Sequence, residues 1–430
     1  VIGFKKYTIL KNSGILWVGD IPDHWEVKKF KHFYASSMGN TILKEDLSDE
    51  ATIPVYSATE YVEILGYIDN PNVLLHREDF IIPARGNSIG HVKLVEDKCT
   101  CTQTTIYARR RYPGRINSSF VYWYQIGLRK KLYEYNNTAI PQLTVRQVKD
   151  NPILVPSMDE QRMISTFLDQ ETARIDALIQ KKERMIELLK EKRIALITQA
   201  VTKGLDPNVS SKDSGIEWLG EVPEHWEIAK VGNGFSIQLG KMLQPEQDKE
   251  TDVLVPYLKA ISVQWDKVSV NEETQMWASP DEIEKYGVRK GDLLVCEGGE
   301  VGRASMLTDD IGMVIIQNAL HRVRSKTNST VFLKYLLQVA ANQLWFDILC
   351  NKATISHFTR DKFSELMIPY PPLMEQNAIV QHLTDKLRDT QLLLDRITDS
   401  ITLLREYRAS LIHHAVTGKI DLRDYDVQAQ

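Results

Sequence analysis

The sequence predicts an α+β protein: two α/β-mixed globular domains joined by two long antiparallel coiled-coil helices, a pseudo-twofold tandem repeat. Three observations carry that expectation. A 14-residue motif occurs twice, 201 residues apart. Two stretches of roughly 45 residues lack Pro and Gly and carry apolar residues at steps of three and four. Each follows about 150 residues of short apolar runs, broken by Gly- and Pro-bearing turns in the manner of short strands.

The repeat comes first because it decides the domain count. Ser13-Gly-Ile-Leu-Trp17-Val-Gly19-Asp-Ile-Pro22-Asp-His24-Trp25-Glu26 returns as Ser214-Gly-Ile-Glu-Trp218-Leu-Gly220-Glu-Val-Pro223-Glu-His225-Trp226-Glu227. Pro156-Ser-Met-Asp-Glu160-Gln161 answers to Pro371-Pro-Leu-Met-Glu375-Gln376, and Ala200-Val201-Thr202 to Ala415-Val416-Thr417. Between these markers the offset grows from 201 to 215, so the second copy is longer. The middles scarcely match. Their one echo is Asp79-Phe-Ile-Ile with Gly86 and Gly90, against Asp292-Leu-Leu-Val with Gly299 and Gly302. Conserved ends and divergent middles describe one scaffold carrying two different surfaces. The expected divisions are domains at 1–155 and 206–370, with helical segments at 156–205 and 371–430.

Each long helix has local reasons to form. Ser157 to Glu160 has the spacing of a capping box, with acids in the first turn. The expected seam of the first helix (157–203) runs Ile164, Leu168, Ile175, Leu178, Met185, Leu189, Leu196, Ala200. That of the second (373–418) runs Ile379, Leu383, Leu387, Leu394, Ile397, Ile401, Leu404, Leu411, Ala415. Each helix would measure roughly 65–70 Å at 1.5 Å per residue. An apolar stripe needs a partner, and each helix is the simplest partner for the other. Antiparallel pairing is expected because tandem units tend to mimic a symmetric dimer. Within the globular parts, Ser118 to Tyr135 and Val331 to Leu349 have helical spacing.

Composition narrows the function. The 430 residues hold 53 Lys+Arg and 57 Asp+Glu, net −4, with 43% hydrophobic residues. That is ordinary for two or three globular domains. The longest apolar runs fall far short of a membrane span, and the first ten residues lack a secretory pattern. The near-neutral charge disfavours indiscriminate coating of nucleic acid, yet it is an average: residues 1–150 carry +4 and residues 210–370 carry −6. Local basic grooves stay open. Cys99, Cys101, Cys296 and Cys350 lack redox or zinc spacing and are expected as reduced thiols of a cytoplasmic protein.

Catalytic constellations are missing. The sequence has no P-loop and no Gly-x-Ser-x-Gly elbow. Gly298-Gly-Glu-Val-Gly302 and Gly86-Asn-Ser-Ile-Gly90 lack dinucleotide spacing and read as tight turns. The two His-Trp-Glu strings have no further metal ligands at suitable spacing, so they read as a packed Trp with a satisfied His. His413-His414 reads as a solvated or seam-edge pair. A binding protein is expected, with neither catalytic nor metal residues.

Basic, amide and aromatic residues gather at a few places. Arg109, Arg110, Arg111 and Arg115 lie among Tyr107 and Tyr112, a composition that suits phosphate. Arg85, Asn87, His91 and Lys93 surround the Gly86–Gly90 turn. Gln103, beside Thr102, Thr104 and Thr105, has base-reading chemistry. The second domain offers Arg303, Gln317, Asn318, Arg322, Arg324 and Lys326. On a strand the last three share a face by alternation. Asn40 after Gly39, and Lys241 after Gly240, are matched loop candidates. These residues are the candidate DNA contacts.

The doubled S-G-I-x-W-[LV]-G-x-[IV]-P-x-H-W-E, the P-[PS]-x-x-E-Q helix starts and the A-V-T-x-[GK] helix ends resemble the specificity subunit of type I restriction-modification systems, over about residues 7–426. The resemblance implies that each globular part is a target recognition domain reading half of a bipartite sequence in double-stranded DNA. It implies that the helices act as a spacer and dock two methyltransferase (modification) subunits, with restriction/translocase subunits joining. It implies no catalysis and no cofactor here: S-adenosylmethionine, ATP and Mg²⁺ would belong to the partners. Two readings compete: a coiled-coil adaptor that ignores DNA, and a methyltransferase or nuclease with its own site. The latter needs an Asn/Asp-Pro-Pro-Tyr/Phe methylation motif or a nuclease carboxylate–lysine cluster; the closest string, Asn151-Pro-Ile-Leu, lacks the second Pro and the aromatic.

Overall fold

The structure, a computed structural model, describes residues 4–59, 63–133, 142–350 and 358–425; the side chain of Asn87 is not among those described. Two compact units form: residues 1–183 with 398–430, and residues 184–397.

In the first unit a four-stranded sheet has the order Tyr34–Met38, Thr105–Arg110, Phe80–Pro83, Lys93–Leu94, antiparallel throughout. All four residues of Phe80–Pro83 are buried. An inner strand covered on both faces reads as a continuous apolar run, and this is why Phe80-Ile-Ile shows no alternation. A second sheet orders Ile64–Ile68, Ile53–Tyr56 and Thr100–Cys101, the last pair parallel. The helix Ser118–Gly127 starts at Asn117, whose side chain accepts from the Phe120 amide. The remainder of the expected 118–135 segment beyond 133 lies outside the described residues.

The second unit has the same wiring. Its four-stranded sheet is Phe235–Leu239, Leu320–Ser325, Leu293–Cys296, Ala304–Met306. Its three-stranded sheet is Gln275–Ala278, Val253–Leu258, Ile315–Ile316, again with one parallel pair. Its helix, Thr330–Asn342, is capped by Ser329. A small ribbon (Val263–Gln264 with Lys267–Val268) and the helix Pro280–Tyr286 have no counterpart among the described residues of the first unit. They account for much of the added length.

Glycines mark the shared backbone. A Cβ on Gly39 would fall against the carbonyl oxygens of Thr102 and Cys101, and one on Gly240 against those of Gln317 and Ile316. In both units the chain passes too close for any side chain. The Gly298–Gly302 segment is the tight turn expected, joining Leu293–Cys296 to Ala304–Met306, with Gly302 N donating to Cys296 O at 3.0 Å.

The long helices are Met158–Lys203 and Leu373–Val416. Their pairing is antiparallel. Arg408 reaches Asp176 and Arg405 reaches Glu183 in the first unit, one number falling as the other rises. In the second unit Ile197, Ala200 and Val201 share a core with Ile379, Leu383 and Leu387. The expected seam of the second helix is buried or half-buried throughout. That of the first is corrected at two places: Leu178 and Met185 are 43% and 46% exposed, while Ile179 is 8% exposed. One residue is 100° of rotation, and adjacent apolar pairs leave the phase of a step of three or four undecided.

The repeated motifs meet at one joint per unit. In the first, Ser157 and Glu160 close the capping box, and the same carboxylate lies 2.8 Å from His24 Nε2 and accepts from Trp25 Nε1 at 3.4 Å. Gln161 accepts from the Asn117 amide and donates to Pro156 O, both at 2.8 Å. Trp25 is fully buried, and Gly418, at φ +67°, has no room for a side chain beside it and Pro22. In the second, Glu375 meets His225 at 2.8 Å and Trp226 Nε1 at 3.0 Å; Gln376 accepts from Ser329 N and donates to Pro371 O. Gly204, at φ +72°, ends the other helix beside Trp226. The expected packed Trp with a satisfied His is observed. What satisfies each is the Glu of the E-Q motif, far away in sequence.

Candidate nucleic-acid interface

In each unit the backbone leaves the four-stranded sheet at the close-approach glycine and runs beside the three-stranded sheet. Asn40 bridges Thr102, and Lys241 bridges Gln317, both in parallel sense. These two corners hold the amide and hydroxyl candidates.

In the first unit, Gln103 is exposed, and its Oε1 accepts from Thr41 Oγ1 at 2.7 Å. Thr102, Thr104 and Ser57 form a hydroxyl cluster, with Thr102 and Thr104 oxygens 2.8 Å apart. Asn40 is half-buried, its amide donating to Cys101 O at 3.1 Å. Arg85 is exposed beside the Gly86–Ser88 turn. Lys93 stacks its ammonium 4.8 Å above the Tyr56 ring. His91 and Lys93 line a cavity of about 670 Å³ together with Tyr122, Arg129 and Asp169.

The arginine cluster is divided by its strand. Alternation sends Arg109 and Arg110 to opposite faces. Arg110 pairs with Glu78, and Arg109 donates to Leu74 O at 2.9 Å. Arg111 follows the strand and is exposed, and Arg115 lies over Tyr112 at 5.0 Å. Of the expected triplet, Arg111 is the one whose exposed side chain has no partner among the described residues.

The second unit departs further from expectation. Lys241 is 7% exposed and donates to Gln244 Oε1 at 2.8 Å and Glu282 Oε1 at 2.6 Å. Burial raises the Glu282 pKa, but hydrogen bonds from Lys241 and Ser279 outweigh it and hold the carboxyl below its ordinary value. Arg322 and Arg324 do share a face, as alternation requires, yet that face is covered. Both reach Gly287 O, and Arg324 grips Asp292 with two nitrogens, at 2.6 and 2.8 Å. Lys326 donates to Gly232 O at 2.7 Å. Arg303 donates to Ala260 O and pairs with Glu300, each at 2.9 Å. All five cations have partners inside the domain; Arg322 and Arg324 find theirs because the strand face that carries them is packed against Gly287 and Asp292.

Gln317 and Asn318 behave differently. Both are half-buried, and their side chains have no hydrogen-bond partner among the described residues. Sequence reasoning missed Met242 and Leu243, which follow Lys241 and stand 75% and 50% exposed. Their position after the matched glycine was the available signal.

Among the described residues no group of three or more His, Cys, Asp and Glu could hold a metal ion, and no helix is long and apolar enough to cross a membrane. All four cysteines are free and buried; burial pushes Cys99 up to about 12 and Cys101 up to about 11, so both are inert thiols at neutral pH.

Comparison with known proteins agrees with this architecture. Residues 22–188 and 223–403 each match the family described as the type I restriction modification DNA specificity domain. The type I restriction enzyme MjaVIII specificity subunit of Methanocaldococcus jannaschii is 23% identical over 424 residues, covering 94% of this chain and 95% of that protein. The EcoBI specificity subunit of Escherichia coli is 21% identical, covering 66% of this chain and 62% of that one. A solved chain from a study of complex assembly and conformational transition of the type I R-M system superposes with TM-score 0.72 at 14% identity, covering 93% and 99%. The HsdS subunit from Thermoanaerobacter tengcongensis gives TM-score 0.54 at 15% identity, covering 93% and 98%. With two matched domains and a doubled joint, the chain belongs to the family of non-catalytic DNA specificity subunits of type I restriction-modification systems, which carry no cofactor themselves.

Proposed function

We propose that each globular domain, 1–155 and 206–370, reads one half of a bipartite double-stranded DNA target. The paired helices set the half-site spacing and dock two methyltransferase subunits, which restriction/translocase subunits join in the cytoplasm. One observation supports this above others. The two units place different side chains on the same backbone corner: Asn40, Thr41 and Gln103 in one, Lys241, Met242 and Asn318 in the other. A scaffold repeated with its surface changed is what two different half-sites require. Arg85, Lys93, Arg111 and Arg115 supply the phosphate contacts of the first domain, and Gln103, Gln317 and Asn318 the base contacts.

The test is domain exchange. Residues 1–155 are replaced by those of a relative, and methylation is mapped in cells that express the complex. One half of the methylated motif should change and the other stay. Change in both halves, or absence of a split motif, would refute the reading.

A further inference from the structure

We propose that Met242 and Asn318 form the base-reading pair of the second domain, and that the pair they read is A·T: the thymine methyl packs on Met242 and the adenine edge meets the Asn318 amide. This rests on the half-site reading above.

The backbone pins Lys241, the residue before Met242, against Ile316 and Asn318. Lys241 N donates to Ile316 O at 2.8 Å, and Asn318 N donates to Lys241 O at 2.8 Å. The first domain has the same two bonds, Asn40 N to Cys101 O and Gln103 N to Asn40 O. There the side chains of Thr41 and Gln103 touch, at 2.7 Å. Residues 41 and 103 thus occupy the corner that 242 and 318 occupy in the second domain. A hydroxyl and an amide have been exchanged for a thioether and an amide.

Met242 is held out deliberately. The residue before it is locked inside the domain by Glu282 and Gln244, while Met242 itself is 75% exposed. An exposed apolar tip on a rigid root gains free energy when an apolar partner covers it. In the major groove that partner is the thymine methyl; the groove's remaining groups are polar. The amide of Asn318, unpartnered among the described residues, matches the N6 donor and N7 acceptor of adenine. Guanine is disfavoured because three arginines that could read it are engaged elsewhere. Arg322 and Arg324 hold Gly287 and Asp292, and Arg303 holds Ala260 and Glu300.

The experiment uses the full chain in complex with its modification subunits. Once the target is mapped, each thymine of the second half-site is replaced singly by deoxyuridine, and affinity is measured. One replacement should weaken binding about four-fold, the worth of one buried methyl. Met242→Ala should bind more weakly and lose the thymine/uracil difference at that position; Met242→Leu should keep it. Uniform tolerance of uracil, a second half-site without A·T, or a difference that survives Met242→Ala would overturn the inference. Exchange of residues 1–155 that altered the second half-site would instead overturn the half-site reading, and this inference with it.

Discussion

Glu160 Oε1 lies 2.8 Å from His24 Nε2, across 136 residues of sequence. The same carboxylate caps its own helix through Ser157 and receives the Trp25 indole. It therefore ties the start of the recognition domain to the start of the helix. Glu375 and His225 repeat the contact at the same distance.

Removing that tie should be expensive. Glu160→Ala leaves the Trp25 and Ser157 donors unpaired in a buried setting, for a cost of about 2–4 kcal/mol. Glu375→Ala should cost less, because its side chain is 28% exposed against 7% for Glu160. Urea unfolding followed by tryptophan fluorescence checks both the loss and the ranking.

Acid should open the same joint. Burial alone would raise the Glu160 pKa, but hydrogen bonds from His24, Ser157 and Trp25 hold it below its ordinary 4.5. A carboxyl depressed on folding contributes stability that is fully present above 4.5 and is lost as pH falls through the lower folded value. Stability of the wild type should thus decline below about pH 4.5. Glu160→Gln should start lower and fall less steeply over that window.

Lys241 separates anchoring from phosphate contact. Lys241→Ala should weaken DNA binding by loosening the Met242 loop, while the slope of log K against log salt stays unchanged. A slope reduced by about 0.9 would show that Lys241 neutralises a phosphate after all.

The arginine triplet should divide in the same assay. Arg111→Ala should reduce the salt slope by about 0.9. Arg110→Ala should leave the slope alone and destabilise the first unit, since Glu78 loses its partner. Equal slope changes from both would contradict the assignment of Arg110 to Glu78 and of Arg111 to phosphate.

Gly39→Ala and Gly240→Ala should each destabilise by about 1–3 kcal/mol, because a methyl would press on backbone carbonyls that cannot move aside. Gly14→Ala, with open space around it, should lose only the smaller penalty of its positive φ. Thermal melts of the three variants test the ranking.

Much of the architecture was legible in the residues. The doubled motif set the domain count, and uninterrupted helical spacing set the long helices to within two residues at each end. The seam of the second helix followed from its steps of three and four. The first helix was misphased at Leu178 and Met185, where neighbouring apolar residues compete for one face.

The candidate site was less legible, and Arg322 and Arg324 show why. Alternation places two side chains on one face of a strand, but whether that face meets water or Gly287 and Asp292 depends on a segment some 30 residues away. Local periodicity encodes which residues travel together; only tertiary packing decides what covers them. The same holds for His24 and Glu160. Each motif was visible by itself, while the contact between them exists because the folded chain brings a helix start to a buried tryptophan. By itself the sequence determined the repeat, the helices, the turn glycines and the family. The tertiary structure decided which cations brace the fold, and it left the Gln317 and Asn318 side chains without a hydrogen-bond partner among the described residues. A buried charge must find a partner inside, and a group left without one is free to bind.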